Sequence, residues 1–455
     1  MPGNLSFEQL KKHVDEGSID TVVAALPDMQ GRLMGKRFQA QYFVSTAWQE
    51  THSCNYLLAT DMEMETVEGY ASTSWAAGYG DYSMIPDLDT LRWIPWMEGA
   101  ALVLCDVIDH NDHAPVAHSP REVLKKQLAR LDGMGLTSAV ATELEFFVFR
   151  EDFETLRDQA YRDMTTISAY NEDYHIFQTA KEEGLMRQIR NGLQGAGIDV
   201  ENTKGEASAG QAEINVCYSN ALEMADNHVV MKNAIKEIAL LNGRAVTFMA
   251  KWDTDAAGSS SHVHQSLRKA DGSPVFFDPA DQFGMSQTMK HYLAGLLTYA
   301  DDITFFLAPY VNSYKRFADA TFAPTRAVWS IDNRTAGYRI VGPGTESVRI
   351  ECRVGGSDLN PYLAIASQLA AGIRGIEDKL ELEEVFTGNA YQADDVRDIP
   401  GNLRAATQAL RDSSMLRDAM GEGVIDHYVR CAEWEQEDFD RKVTDYERNR
   451  CFERA

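Results

Sequence analysis

The feature that most restricts the fold of this chain is a period-2 pattern separating ionisable from apolar side chains on four segments. Successive side chains of a strand point to opposite faces. In Ala141-Thr142-Glu143-Leu144-Glu145-Phe146-Phe147-Val148-Phe149, Leu144, Phe146 and Val148 therefore share one face, and Glu143 and Glu145 the other. Gln211 to Val216 repeats the construction, with Glu213 opposite Ala212, Ile214 and Val216. Between Ser261 and Leu267 the polar set is His262, His264 and Ser266; between Arg349 and Val354 it is Arg349, Glu351 and Arg353. A half-exposed strand with surface ion pairs explains any one segment, since such pairs are common and contribute little. It explains less well why Glu and His recur together on these strands. Two carboxylates on one face repel unless a cation lies between them. Carboxylates with a single imidazole suit Mg²⁺ or Mn²⁺ better than zinc. Metal beside arginine is what phosphoryl transfer needs: the ion neutralises charge on phosphate oxygens and the guanidinium clamps them.

Along the chain, Ser6 with Gln9 predicts a capping box opening a short helix, with Gly17 after its last turn. Ile19 to Leu26 reads as a strand broken by Pro27 and Gly31, and Met34 to Phe38 as its antiparallel return. A second β-rich stretch runs from Met84 to Ile108, and together these form a small α+β domain. His110 to His118 is a polar connector, and His110, His113 and His118 are taken as connector histidines that nothing orients. Ser119, Pro120 and Glu122 predict an N-cap, first helical residue and capping-box partner, with Gly133 and Gly135 ending that helix. Helices are expected over Leu222 to Asn242, Asn360 to Leu380 and much of Asp412 to Ala455. Ala256 to Ser261 reads as a flexible lead-in to a strand, and no P-loop pattern occurs.

The 455 residues are ample for two domains. With 44% hydrophobic and 25% charged residues, the composition is that of an ordinary globular protein. A net charge of -26 opposes nucleic-acid and anionic-membrane partners. No segment approaches the ~18 to 20 apolar residues of a membrane span. Met1 to Asp20 lacks the apolar core of a signal peptide. Six cysteines without a CxxC pair suggest neither a zinc ribbon nor a disulfide framework, so a reduced cytoplasm is the expected location.

Taken in order, these pieces resemble the glutamine synthetase superfamily, and in particular its γ-glutamyl-amide synthetase branch. The resemblance rests on Pro27-Asp28-Met29-Gln30-Gly31-Arg32-Leu33-Met34-Gly35-Lys36-Arg37, Glu143-Leu144-Glu145, Glu206 with Gly210-Gln211-Ala212-Glu213, and His262-Val263-His264-Gln265-Ser266-Leu267. It continues through Asn312-Ser313-Tyr314-Lys315-Arg316, Asn333-Arg334, Arg339, Arg349-Ile350-Glu351-Cys352-Arg353 and Asn360-Pro361-Tyr362. It implies an α+β fold: a β-grasp domain over residues 1–112 and a catalytic domain over 118–455, the latter a curved antiparallel sheet flanked by helices. Glu145, Glu206 and Glu213 would hold one divalent metal, and Glu143, His262 and Glu351 a second, with two or three Mg²⁺ or Mn²⁺ ions per site. Gly258, Arg316 and Arg353 would bind glutamate; His264, Ser266, Arg339 and Arg349 would bind ATP; Arg334 would clamp the phosphoryl group, making Arg334 and Arg316 the catalytic arginines. The implied reaction forms a γ-glutamyl phosphate that an amine then attacks. The resemblance also implies a homo-oligomer, a dodecamer of two stacked rings with active sites between subunits.

The departures surround the amine. Phe322 stands where ammonia-using members carry a flap Glu, and their Asp-Gly-Ser-Ser segment is replaced by Asp61 to Tyr70, followed by Trp75. Ala257 replaces the Asn expected before Gly258. An aromatic in place of an anion disfavours ammonium and makes room for carbon. The expected activity is therefore an ATP-dependent carbon–nitrogen ligase acting on glutamate and an organic amine. A true glutamine synthetase using ammonia and an inactive regulatory homologue are the alternatives; six intact metal-ligand positions oppose the second. Tyr391, where some relatives carry a modified tyrosine, is expected to be an ordinary loop residue.

Overall fold

The computed structural model describes residues 3–394 and 396–455. The N-terminal helix Phe7–Asp15 opens with the predicted capping box: the Gln9 amide N–H donates to Ser6 Oγ at 3.2 Å, and the Ser6 N–H to Gln9 Oε1 at 2.7 Å. Six strands follow: β1 (Thr21–Pro27), β2 (Leu33–Gln39), β3 (Thr51–Cys54), β4 (Asp81–Pro86), β5 (Arg92–Trp93) and β6 (Ala100–Asp109). They form one sheet of order β2-β1-β6-β4-β3, with β5 also against β6. β1 and β2 are antiparallel, with Leu26 opposite Met34, whereas β1 and β6 run parallel. Between β1 and β2, Asp28 accepts the Gln30 and Arg32 amides at 3.0 and 2.8 Å, and Gly31 takes the left-handed φ of 76° that the turn needs.

Alternation along β1 and β6 divides this sheet's contacts. Val22, Ala24, Leu26, Ala101, Val103 and Cys105 pack with Leu10 and Val14 of the N-terminal helix. Ala25, Ala100 and Leu102 face the other way and join the main core.

The second sheet contains β7 (Leu136–Phe149), β8 (Val200–Gly205), β9 (Gln211–Val216), β10 (Ala245–Thr247), β11 (Val263–Lys269), β12 (Trp329–Ile331), β13 (Tyr338–Val341) and β14 (Arg349–Cys352). Its order is β12-β13-β14-β11-β7-β9-β8, with β10 against the end of β7. Every pairing is antiparallel except β12 with β13, so the antiparallel sheet expected from sequence carries one parallel pair at its edge. Leu144, Phe146 and Val148 are fully buried in the core, which also contains helices Ala221–Leu241, Gln287–Thr298 and Pro361–Glu377. The last two cross closely. A Cβ on Gly295 would fall 2.2 Å from the Ala371 carbonyl, and one on Gly375 2.2 Å from that of His291.

Helix Pro120–Gly133 begins at Ser119, but Ser119 makes no side-chain cap bond. Its N–H, which Glu122 was expected to engage, donates instead to the Val116 carbonyl at 2.9 Å, so no capping box forms. The same first turn carries Arg121, which is 1% exposed and paired with Asp87, Asp106 and Asp226 at 2.6, 2.5 and 3.0 Å. This buried cation ties β6 and the β4–β5 turn to helix Ala221–Leu241. The C-terminal part is helical over Ser414–Met420, Glu422–Arg441 and Asp445–Cys451. All six cysteines are free thiols, and no helix among the described residues is long and apolar enough to cross a membrane.

Candidate active site

The ionisable faces of β7, β9, β11 and β14 meet in two groups of ligand-type side chains. In the first, Glu145 comes from β7, Glu213 from β9 and Glu206 from the residue after β8. One oxygen from each lies within 4.8 Å of the others. Register explains the meeting, because Glu145 pairs directly with Glu213 across β7 and β9. Burial raises the Glu213 carboxyl to about 8, with Glu143 and Glu145 adding to the rise and Lys204 and Asn215 opposing it. Two carboxylates this close need a cation. Lys204 of β8 supplies one: its Nζ contacts Glu206 Oε1 and lies 3.6 Å from Glu213 Oε1. The same ammonium sits 4.8 Å from the centre of the Tyr174 ring. An all-carboxylate group already holding an ammonium ion fits a hard divalent ion.

In the second group, the atoms within 4.8 Å of one another come from Glu143, His264 and Glu351. His262 joins them, with Nδ1 2.6 Å from Glu143 Oε2 and 3.5 Å from Glu351 Oε1. His264 Nε2 lies 2.9 Å from Glu143 Oε1. The sequence assigned one imidazole to this group and directed His264 to nucleotide, whereas both rings face Glu143. Burial works to raise the Glu143 carboxyl, but His262 and His264 outweigh it and hold it well below the ordinary value. Glu351 is likewise lowered, because Arg353 and the two histidines outweigh burial and the Glu143 charge.

The arginines lie around these groups. Arg339 donates to Glu351 Oε2 at 2.9 Å and also pairs with Asp332. Arg349 Nε is 3.3 Å from His264 Nδ1, and Ser266 follows on β11. Arg353 pairs with Glu351 through Nη1, while its Nε is buried without a hydrogen-bond partner among the described residues, an open donor beside the acidic groups. Arg316 is 4% exposed, and its two Nη atoms donate to the Val354 and Arg353 carbonyls at 2.8 and 3.0 Å. Three of its five N–H groups remain. Gly258 is required by that packing, since a Cβ there would meet Arg316 Cγ at 2.6 Å. Arg334 is exposed on the β12–β13 loop, with no ion-pair partner among the described residues. Phe322 is 58% exposed on the segment after Arg316 and holds a left-handed φ of 58°. A bulky side chain in that region stores strain. Tyr391 anchors the segment by donating to the Ala323 carbonyl at 3.0 Å.

Two sets of residues at this site were not foreseen. Lys204 lies on β8, whose polar sequence Val-Glu-Asn-Thr-Lys-Gly gives no apolar alternation to mark a strand. Ser259 to Ser261, expected to be flexible, are buried. Ser260 donates its N–H and Oγ to the two Glu145 oxygens at 2.8 and 2.5 Å, and Ser261 Oγ donates to the Glu143 carbonyl at 2.8 Å. The carboxylates fix these serines, overriding the mobility that a Gly/Ser composition suggests.

Residues 117–451 match the family model described as the glutamine synthetase catalytic domain. A γ-glutamylethanolamide synthetase, GlnA4 of Streptomyces coelicolor, is 47% identical over 451 residues, covering 99% of this chain and 96% of the relative. A glutamate–isopropylamine ligase of a Pseudomonas species is 34% identical over 442 residues, 96% of each chain. Among solved structures, a GmaS/ADP complex superposes with a TM-score of 0.85 at 25% identity, covering 97% of this chain and 99% of that one. With its catalytic sheet, its acidic clusters and its near full-length relatives in agreement, the chain belongs to the glutamine synthetase family.

Proposed function

We propose that this protein is an ATP-dependent ligase that joins the side-chain carboxylate of glutamate to an organic amine. The observation that carries the reaction class is the convergence of two acidic groups and several arginines on one sheet face. Glu145, Glu206 and Glu213 would hold one Mg²⁺ or Mn²⁺, and Glu143 and Glu351 with His262 and His264 a second; divalent ions bound there neutralise charge on phosphate oxygens. Arg353, with its open Nε, and Arg316, with its remaining donors, orient the glutamate carboxylates. Arg339, Arg349 and Ser266 line the side on which ATP binds, and Arg334 swings onto the transferred phosphoryl group. The carboxylate attacks the γ-phosphate to give a γ-glutamyl phosphate, and an amine then displaces phosphate. The second step requires exclusion of water, which would hydrolyse the acyl phosphate.

Two observations support an organic amine over ammonia. A relative named for a γ-glutamylethanolamide product and one named for joining glutamate to isopropylamine match 99% and 96% of the chain. Phe322, exposed on the segment that follows Arg316, puts an aromatic ring where an anion would favour ammonium. On this reading residues 1–112 form a β-grasp domain and 118–455 the catalytic domain. The protein works in the cytoplasm as two stacked rings, with each active site completed by a neighbouring subunit.

The test is phosphate release with glutamate, ATP and a panel of ammonium, ethanolamine, isopropylamine, a diamine and aniline. The best organic amine should exceed ammonium in kcat/KM by at least about tenfold, ~1.4 kcal/mol of differential transition-state binding. Ammonium surpassing every organic amine would defeat the proposal. Phe322→Glu should narrow the gap by raising ammonium use; an unchanged ratio would remove Phe322 from the amine site.

A further inference from the structure

A different kind of ligand cluster lies on the six-stranded sheet. Glu50 immediately precedes β3, His52 lies on β3, and His110 is the first residue after β6. Each offers a ligand atom, and the three atoms lie within 4.8 Å of one another. His52 Nε2 is 3.3 Å from Glu50 Oε1. The His52 and His110 rings meet edge to face with centroids 5.0 Å apart.

These side chains are held from below. Ser83 of β4 pairs in register with His52, so their side chains share a face. Ser83 is fully buried; its hydroxyl donates to Glu50 Oε1 at 2.5 Å and lies 3.3 Å from His110 Nδ1. One buried hydroxyl thus orients two of the three groups, as outer-shell partners do in metal sites. It also supplies the orientation that the connector sequence lacks: His110 is fixed by a residue 27 positions away.

We infer that Glu50, His52 and His110 form a second, non-catalytic metal site that takes a zinc-type divalent transition ion. Two imidazoles and one carboxylate are the donor set zinc accepts, with a fourth position open to water. Mg²⁺ takes oxygen ligands and has little affinity for such a set. The bound ion would clip β3, at the edge of its sheet, to the end of β6 across β4.

The experiment uses the intact protein, stripped with chelator and then held in excess Mg²⁺, and measures Zn²⁺ binding by equilibrium dialysis. The parent should retain one more equivalent than His52→Ala/His110→Ala, while both keep the same Mg²⁺-supported ligase activity. Ser83→Ala should weaken this one equivalent by roughly tenfold, the effect of removing an outer-shell partner. Zn²⁺ should also raise the melting temperature of the parent but not of the double variant. Equal Zn²⁺ stoichiometry and affinity in parent and double variant would overturn the site. If the alanine variant is misfolded by circular dichroism, Glu50→Gln/His52→Asn decides the matter by the same criterion.

Discussion

Lys204 occupies the space between carboxylates that a divalent ion would bridge. The tethered ammonium keeps Glu206 and Glu213 together, and on the proposed reading it would have to move for a divalent ion to bind there. Lys204→Met should therefore tighten Mn²⁺ binding by about tenfold, a modest part of the Coulomb repulsion between like charges about 4 Å apart. Isothermal titration showing equal or weaker Mn²⁺ binding would rule out this role. Other residues around Lys204 illustrate what sequence could and could not reveal. Glu143 and Glu145 announced themselves, because apolar neighbours at every second position fixed which way they point. Ser260 did not, since its burial depends on a strand 115 positions earlier.

At the scale of elements, the long strands and capped helices were legible and the short polar ones were not. The N-terminal capping box and the β1–β2 return follow from local chemistry and stand where the sequence puts them. The box expected at Ser119 fails because a tertiary arrangement gives its N–H another acceptor. The buried pair Glu172 and Glu182 had no sequence signal either. Glu172 accepts the Gly210 N–H at 3.1 Å, and Glu182 heads helix Glu183–Gly195. Burial, and then the Glu172 charge, raise Glu182 from 4.5 to about 8. A carboxyl raised in the fold stabilises fully below its unfolded value, and that stability is lost as pH rises through its folded one. Stability should therefore fall between about pH 4.5 and about pH 8 on account of this pair. Glu182→Gln removes the ionisation while keeping a similar shape. It should be more stable than the parent by on the order of 2 kcal/mol at about pH 9, and no more stable near pH 5. Chemical denaturation at the two pH values checks this; a gain of equal size at both would refute it.

For the whole molecule, Arg121 is the buried electrostatic joint between the two sheets' surroundings. Three carboxylates converge on it, one of them, Asp226, fully buried. Removing one member of a buried ionic network leaves unpaired charges in a poorly solvated place and costs about 3 to 5 kcal/mol. Arg121→Met keeps much of the stem and should lose about that much in urea or thermal unfolding; a loss below about 1 kcal/mol would mean the carboxylates are repaired by solvent. The sequence predicted a chain divided near residue 112 but held no hint of this joint, because the carboxylates lie as far as 105 positions from Arg121.

Ala25, Ala100 and Leu102 place one side of the first sheet inside the same apolar interior as the catalytic helices. The molecule thus cannot be dismantled along its most visible seam. A protease nick in the 110–118 linker would not liberate a free-standing N-terminal lobe; the two fragments would stay associated, or each would expose a wet hydrophobic side and precipitate. Exchanging that lobe with a relative's would likewise require its inner surface to be recut to the new host, so substrate preference in this fold is more readily altered by replacing surface loops than by shuffling halves.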